Sequence, residues 1–398
     1  MTAPVLAYCT NIHPAAGLAG VMDSLRTTAA DVQRRVAPGA HLPIGLRLSA
    51  AEVVELEEPG AVERVADELG RLRLDVVCAN GFPFGAFHGA GIKSDVHRPD
   101  WRDTRRVIYS ERLGAALARF LPAHGAGGVS TSPLSYRPWG EPSREAQGAM
   151  ARNIARVAQR FARLAEDTGR TVHLDIEPEP DGLLETLTGF ARWFEQDLAP
   201  AAAVPDIGLD GDTLRRHVRL CLDACHAAVM HEPPAEAISA LETVGVRVGR
   251  VQVSSALRIT IPTEPDARVR MRRALAPFAE STYLHQTVGA LDAGAIERWE
   301  DLSEALAALD TARAREWRIH YHVPVFWTGA GEIGTTQGHL IELLREVRTR
   351  GLCRLFEIET YTWGVLPAEM RLGLPDSITR EMDWLRDTLH VIDRESSA

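Results

Sequence analysis

Short apolar runs rich in Val, Ile and Leu alternate along this chain with longer stretches whose apolar residues recur every three or four positions. The short runs fall at residues 5–10, 43–48, 74–80, 127–131, 172–177, 218–223, 249–254 and 354–359, and they have the length and composition of strands. The longer stretches carry helical stripes. One is Ile154, Val157, Ala158, Phe161 and Leu164, closed by Gly169; another is Leu340, Leu343, Leu344 and Val347, closed by Gly351. Strand–helix alternation repeated eight times predicts a parallel sheet, and eight such units close a barrel. The expected fold class is therefore α/β, a single (β/α)8 TIM barrel spanning residues 1–398. An open doubly wound sheet is the competing arrangement, and the lack of G-x-G-x-x-G after the first strand weighs against it. A ninth extended run, 318–325, breaks the count. It follows a long insertion after the seventh strand, about 256–316, with a helical stripe at Leu302, Ala305, Leu306 and Leu309. Excursions of this length at the C-terminal face of a barrel serve as lids or subunit contacts, so a lid or a homo-oligomer interface is expected.

Polar residues recur at the ends of the predicted strands. In 172–177, Val172, Leu174 and Ile176 alternate with His173, Asp175 and Glu177. Period two puts the polar set on one face, and helices cover the apolar face, so the polar set points into the barrel with Glu177 at the rim. A bland alternative is a carboxylate buried against an arginine. Asp223 ends the sixth strand, and His226 falls in the first turn of the following helix. That spacing lets a carboxylate and an imidazole face one pocket, although His226 could simply cap the helix. Glu357 and Glu359 share a face of the last strand, Glu359 nearer the rim and Glu357 one layer deeper in a structural role. His320 and His322 share a face of the ninth run. Nearer the N-terminus, His13 follows the first strand, while Asn80, His88 and Lys93 lie in a Gly-, Pro- and Phe-rich loop suited to one wall of a sugar-sized pocket.

Composition narrows the chemistry. A net charge of −10 without a basic cluster disfavours nucleic acid as a partner. Five cysteines, odd in number and without a C-x-x-C pair, read as buried thiols of a reduced cytoplasmic protein. With no apolar run approaching ~18 residues and no basic-then-apolar leader, membrane insertion is not expected. Lys93 is the only lysine, so any Schiff-base chemistry would have to use it.

At these residues the chain resembles the xylose-isomerase-like barrel superfamily of sugar isomerases, sugar epimerases and endonuclease IV-type enzymes. The family places Glu, Asp, His and Glu at the fifth to eighth strands around a divalent metal, and Glu177, Asp223 and Glu359 fit three of those places. Leu222-Asp-Ala-Cys-His226 is similar to its L-D-x-x-H signature, and Gly-Ala-Gly-Glu-Ile-Gly334 to its loop after strand seven. Across nearly the whole chain, segments such as TNIHP, NGFPFGAFHG, DIEPEPDG, CLDACH, IHYHVPVF and EIETYTWGVLP resemble the EboE family of metabolite traffic proteins, of the same barrel class. The resemblance implies metal-assisted chemistry on a small polyhydroxylated molecule.

One departure stands out: Gln252 occupies the place of the seventh-strand His. An amide oxygen there favours Mn²⁺ or Mg²⁺ over Zn²⁺, unless His285 of the insertion folds back to supply the nitrogen. The leading expectation is a metal-dependent isomerase or epimerase of a small sugar, cyclitol or sugar phosphate. Glu177, Asp223, Gln252 and Glu359 would hold the metal, and Glu177 and Glu359 would move the proton. His226, His320, His322, His13, His88, Asn80 and His285 are candidates for substrate contacts or a second metal, and Lys93 for an anionic group. The rival expectations are a metal-dependent hydrolase or lyase of the endonuclease IV type, and a non-catalytic metabolite-binding protein.

Overall fold

The structure, a computed structural model, describes residues 3–85, 87, 93–367 and 371–396. Fourteen strands lie along it in chain order. They are β1 (Val5–Cys9), β2 (Leu42–Arg47), β3 (Leu74–Asn80), β4 (Ala126–Thr131), β5 (Thr171–Ile176), β6 (Val218–Asp223), β7 (Val248–Val253), β8 (Ser255–Thr260), β9 (Thr287–Ala290), β10 (Ile296–Trp299), β11 (Glu316–Val323), β12 (Gly329–Ala330), β13 (Ile333–Thr335) and β14 (Leu355–Ile358). Strands β1 to β7 and β14 form a closed barrel in which every neighbouring pair is parallel, with β14 sealing the gap between β7 and β1. Helices intervene between the strands, as the stripes require. The helix Arg144–Thr168 buries Ile154, Val157, Ala158 and Phe161, and Gly169 ends it in the left-handed conformation at φ 68°. The helix Gln337–Thr349 buries Leu340, Leu343, Leu344 and Val347 in the same way.

The barrel interior is filled by charge as well as by apolar groups. Fully buried Arg250 on β7 reaches Glu357 on β14 at 3.1 Å and Asp175 on β5 at 3.4 Å, and donates to the Ala79 and Gly128 carbonyls at 2.9 and 2.8 Å. Glycines make the room. A Cβ at Gly45 would collide with the Glu357 carboxylate, and one at Gly128 with that of Asp175. The carboxylate–arginine packing weighed for Glu177 is thus realised one layer lower, by Asp175 and Glu357.

Only Ser254 separates β7 from β8, so the chain leaves the C-terminal end of the barrel directly into a second, antiparallel sheet of order β10-β9-β11-β8-β13-β12. The ninth extended run is β11, which pairs with β8 and β9 in that sheet and takes no part in the barrel. The insertion also contains the helices Pro265–Leu275 and Leu302–Ala308, the latter burying Leu302, Ala305 and Leu306. Among the described residues no helix is long and apolar enough to cross a membrane.

Candidate functional site

The inward residues of β5, β6 and β14 climb from the Arg250 layer to the rim, where Glu177, Asp223 and Glu359 meet. Each offers a carboxylate oxygen within 4.8 Å of the other two, and all three are buried. Two amides steady Glu359: Asn11 Nδ2 donates to its Oε1 at 2.7 Å and Asn80 Nδ2 at 3.0 Å. Asp223 Oδ1 accepts from Ser254 Oγ at 2.9 Å and from the His226 amide at 2.9 Å, which makes Asp223 the cap of the helix Ala224–Val229. The capping role therefore falls to Asp223, and the His226 ring is left to face the site. Glu177 Oε2 and Asp223 Oδ2 have no hydrogen-bond partner.

Three carboxylates in so dry a place oppose one another. Burial, and then the charges of Asp223 and Glu179, pushes the Glu177 carboxyl well above the usual range, against the pull of Arg250 below. Burial followed by Glu177 and Asp223 does the same to Glu359. A cation or a proton must accompany such a group, and the unpartnered oxygens show where it would sit.

Above the triad stand three imidazoles. His226 Nδ1 bonds the Pro178 carbonyl at 3.0 Å, His322 Nδ1 that of Glu359 at 2.5 Å, and His320 Nδ1 the Gln286 side-chain oxygen at 2.6 Å. Carbonyl oxygens only accept, so each ring carries its hydrogen on Nδ1 and turns a bare Nε2 inward. His322 Nε2 lies 3.9 Å from Asp223 Oδ2 and has no hydrogen-bond partner. Burial depresses all three rings, His226 to about 4, so they are neutral near pH 7. Burial also lifts Glu179, beside them, to about 8.

A cleft of about 580 Å³, its open mouth included, leads down to these groups. Asn11, Asn80, Lys93, Glu177, Glu179, His226, His320, His322 and Glu359 give it polar lining, and Phe82, Phe87, Tyr283 and Tyr361 aromatic walls. The Phe87, Tyr283 and Tyr361 rings pack mutually with centroids 5.0 to 5.5 Å apart. Size and lining suit a small molecule with several hydroxyls.

Not every residue singled out in the sequence arrives. Gln252 faces inward but does not line the cleft; its Oε1 accepts from Cys221 Sγ at 3.0 Å, and Ser254, two residues on and just past β7, is the side chain that meets Asp223. His285 stacks on Tyr321 and spends both nitrogens, on the His320 carbonyl at 2.9 Å and Glu280 at 3.0 Å. His13 is buried beside Tyr8 away from the cleft. His88 lies outside the described residues. Lys93 reaches the cleft with its ammonium paired to Asp301 of the insertion. Conversely, Glu179, Gln286 and Tyr361 belong to the site without having been foreseen. Glu179 and Tyr361 each continue, two residues on, the alternation that marks Glu177 and Glu359.

This architecture, a closed parallel eight-stranded barrel with helices between its strands, is the (β/α)8 TIM-barrel fold. The chain superposes on a structure of L-ribulose 3-epimerase with a TM-score of 0.52 and 13% identity, covering 100% of this chain and 97% of that one. A xylose isomerase domain protein from Planctomyces limnophilus gives 0.51 and 11%, with 100% and 99% covered. No family model matches the chain, and no curated protein matches it.

Proposed function

We propose that the chain is a divalent-metal-dependent isomerase or epimerase of a small sugar, cyclitol or sugar phosphate. One observation carries the reading: Glu177, Asp223 and Glu359 converge, buried, at the floor of a polar cleft, with Glu177 Oε2 and Asp223 Oδ2 unpartnered. Those three would hold the ion, and His322 Nε2 would offer the nitrogen that Gln252 does not. Oxygen-rich donors with one imidazole suit Mn²⁺ and admit Zn²⁺. When bound, the cation supplies the positive charge that polarises a substrate carbonyl and its neighbouring hydroxyl.

The protein's own groups do the rest. Glu177, with Oε2 free, takes the proton from the carbon beside the carbonyl, and the C–H electron pair moves to the carbonyl oxygen. Glu359, its other oxygen fixed by Asn11 and Asn80, returns a proton to the opposite face or the adjacent carbon. Carboxyls lifted by burial hold a transferred proton near neutral pH better than ordinary ones. His226, His320 and Lys93 face the substrate's remaining oxygens. The likeness to EboE segments is the reason cyclitols stand beside sugars as candidate substrates.

Incubation with ketoses, keto-cyclitols and their phosphates in D₂O tests the reading. Deuterium should enter a carbon-bound position of one substrate, and Glu177→Gln should abolish the exchange while sparing binding. The imidazoles beside the carboxylates favour a hydrolytic second reading. Cleavage with solvent ¹⁸O in the product and no deuterium would establish it and sink the first, and binding without isotope change would mark a carrier.

A further inference from the structure

The end of the barrel opposite the cleft is not closed by apolar packing. Residues at the N-terminal ends of barrel strands ordinarily serve stability, with branched apolar side chains filling the layers between them. Here Gly127, Gly128 and Gly249 bring no side chains into the lowest layer, and a cavity of about 1710 Å³, its open mouth included, enters from below. His173 on β5 and Arg219 on β6 line it, and Arg247 and Arg354 stand exposed at its mouth. Arg219 pairs in register with Asp175 and shares the inward face of β6 with Cys221 and Asp223. Its charge has no counter-ion in contact. Arg219 Nε donates to the Arg216 carbonyl at 3.2 Å and Arg354 Nε to the Ala3 carbonyl at 3.3 Å, which leaves the terminal nitrogens of both for other partners. Among the described residues no carboxylate forms an ion pair with Arg219, Arg247 or Arg354, and Glu242, the acid at the mouth, is taken by Arg350 at 2.7 Å. Asp175 is spent as well, on His173 Nδ1 and on Arg250 Nε at 3.4 Å. Burial, and then Arg247, outweigh the favourable charge of Asp175 and hold the Arg219 guanidinium below its usual range. His173, with its hydrogen on Nδ1 facing Asp175, is left with Nε2 as an acceptor.

We propose that this cavity binds a small organic phosphate, with Arg219, Arg247 and Arg354 holding the phosphate group and His173 Nε2 accepting from a hydroxyl of the organic part. Guanidinium forks match phosphate oxygens, and a dianion answers several like charges better than a monoanion does. Val5, Val77, Val248 and Leu355 give the organic part an apolar wall. Exposed arginines alone are ordinary solvated charges. The inward Arg219, in a layer where apolar packing is the stable choice, carries the assignment. The site lies at the opposite end of the barrel from Glu177, Asp223 and Glu359, with the Arg250 layer between, and has no lining residue in common with the cleft. It therefore stands or falls independently of the proposed function.

Calorimetric titration of the full-length protein with glycerol 3-phosphate, inorganic phosphate and succinate, at low and at high salt, tests the site. Glycerol 3-phosphate should saturate one site per chain at millimolar concentration or below, bind more tightly than succinate, and weaken as salt rises. Arg219→Gln should lower its affinity about tenfold, the worth of one hydrogen bond between charged groups. Arg247→Met should weaken binding in the same direction. Arg247 is exposed, so this variant keeps the test decisive should circular dichroism show that Arg219→Gln does not fold. Glu359→Gln, altered in the cleft, should bind glycerol 3-phosphate as wild type does. Binding lost in Glu359→Gln and kept in Arg219→Gln and Arg247→Met would place the anion at the rim and overturn the proposal. Affinity unchanged in both arginine variants, or no saturable heat from either phosphate, would overturn it too. Succinate binding as tightly as glycerol 3-phosphate would overturn phosphate as the group recognised.

Discussion

Asn11, at the exit of the first barrel strand, donates to Glu359, just past the last one, at 2.7 Å across the seam where the barrel closes. Asn80 donates to the same oxygen from β3. A hydrogen bond to a buried charged group is worth about 1.5–3 kcal/mol, and its loss leaves Glu359 less well solvated. Asn11→Ala should lower unfolding stability by that order and weaken divalent-ion affinity. Asn80→Ala should act in the same direction. Because both amides serve one oxygen, the double variant should depart from additivity, which denaturant titration of the four proteins would show. Strict additivity would mean the two amides do not act on Glu359 together.

The Arg250 layer beneath sets a larger effect. Removing one partner of a buried, paired charge costs about 3–5 kcal/mol, since the other is left without compensation. Arg250→Met strands Glu357 and Asp175 together and should reduce stability by at least that order. Pairing it with Glu357→Gln should recover part of the loss. Chemical denaturation of the single and double variants decides it, and a double variant no more stable than Arg250→Met alone would show that Glu357 does not depend on this arginine.

How far the sequence revealed this arrangement depends on which property each residue needed. Facing direction is encoded by period two, so Glu177, Asp223 and Glu359 were visible at the ends of apolar runs. Height is not encoded so locally. Gln252 faces inward as expected and pairs in register with Asp223, but its Oε1 takes the Cys221 thiol, and Ser254, two residues on, is the side chain that meets Asp223. The second sheet was hidden because β9 and β10 are four residues each, too short for periodicity to register. With only Ser254 between β7 and β8, β8 fell inside the stretch read as the insertion. Glu179 lay between Pro178 and Pro180, where the strand pattern stops, and its partners come from segments brought in by the insertion. The sequence paired His320 with His322 but could not show that His226 would face them.

A pH effect independent of the metal ligands is expected from Glu381. Its Oε1 accepts from Thr360 Oγ1 at 2.6 Å and the Val325 amide at 3.0 Å, and Oε2 has no partner. Burial outweighs those bonds and lifts the carboxyl from 4.5 to about 8. The folded protein then keeps a proton that the unfolded chain releases above about pH 4.5, so stability from this group is full below that value and is lost as pH rises through about 8. Glu381→Gln cannot titrate. Its stability relative to wild type should therefore rise between pH 5.5 and pH 7.5, measured by urea unfolding at both. An unchanged difference would mean that Glu381 is already ionised in the folded protein.

Lys93 and Asp301 tie the loop after β3 to the insertion. The ammonium pairs with the Asp301 carboxylate, and the Lys93 amide meets the Thr282 carbonyl at 3.4 Å, beside Tyr283 of the cleft wall. The Lys93 side chain is 37% exposed, so the pair ranks with surface salt bridges, worth about 0–1 kcal/mol and weakened by salt. Global stability should barely change in Lys93→Met, while local opening of residues 93–97 and 280–284 should increase up to about fivefold, the equivalent of about 1 kcal/mol. Asp301 also caps the helix Leu302–Ala308 through the Ser303 amide, so Asp301→Asn is the matched change that keeps an oxygen there and removes the charge. Hydrogen exchange should rise in the same peptides for both variants, rise no further in the double variant, and approach the variants' level in wild type at 1 M salt. If exchange in those peptides is the same in wild type and Lys93→Met at low salt, the pair does not hold the wall of the cleft, and Lys93 is free to meet an anionic group of the substrate.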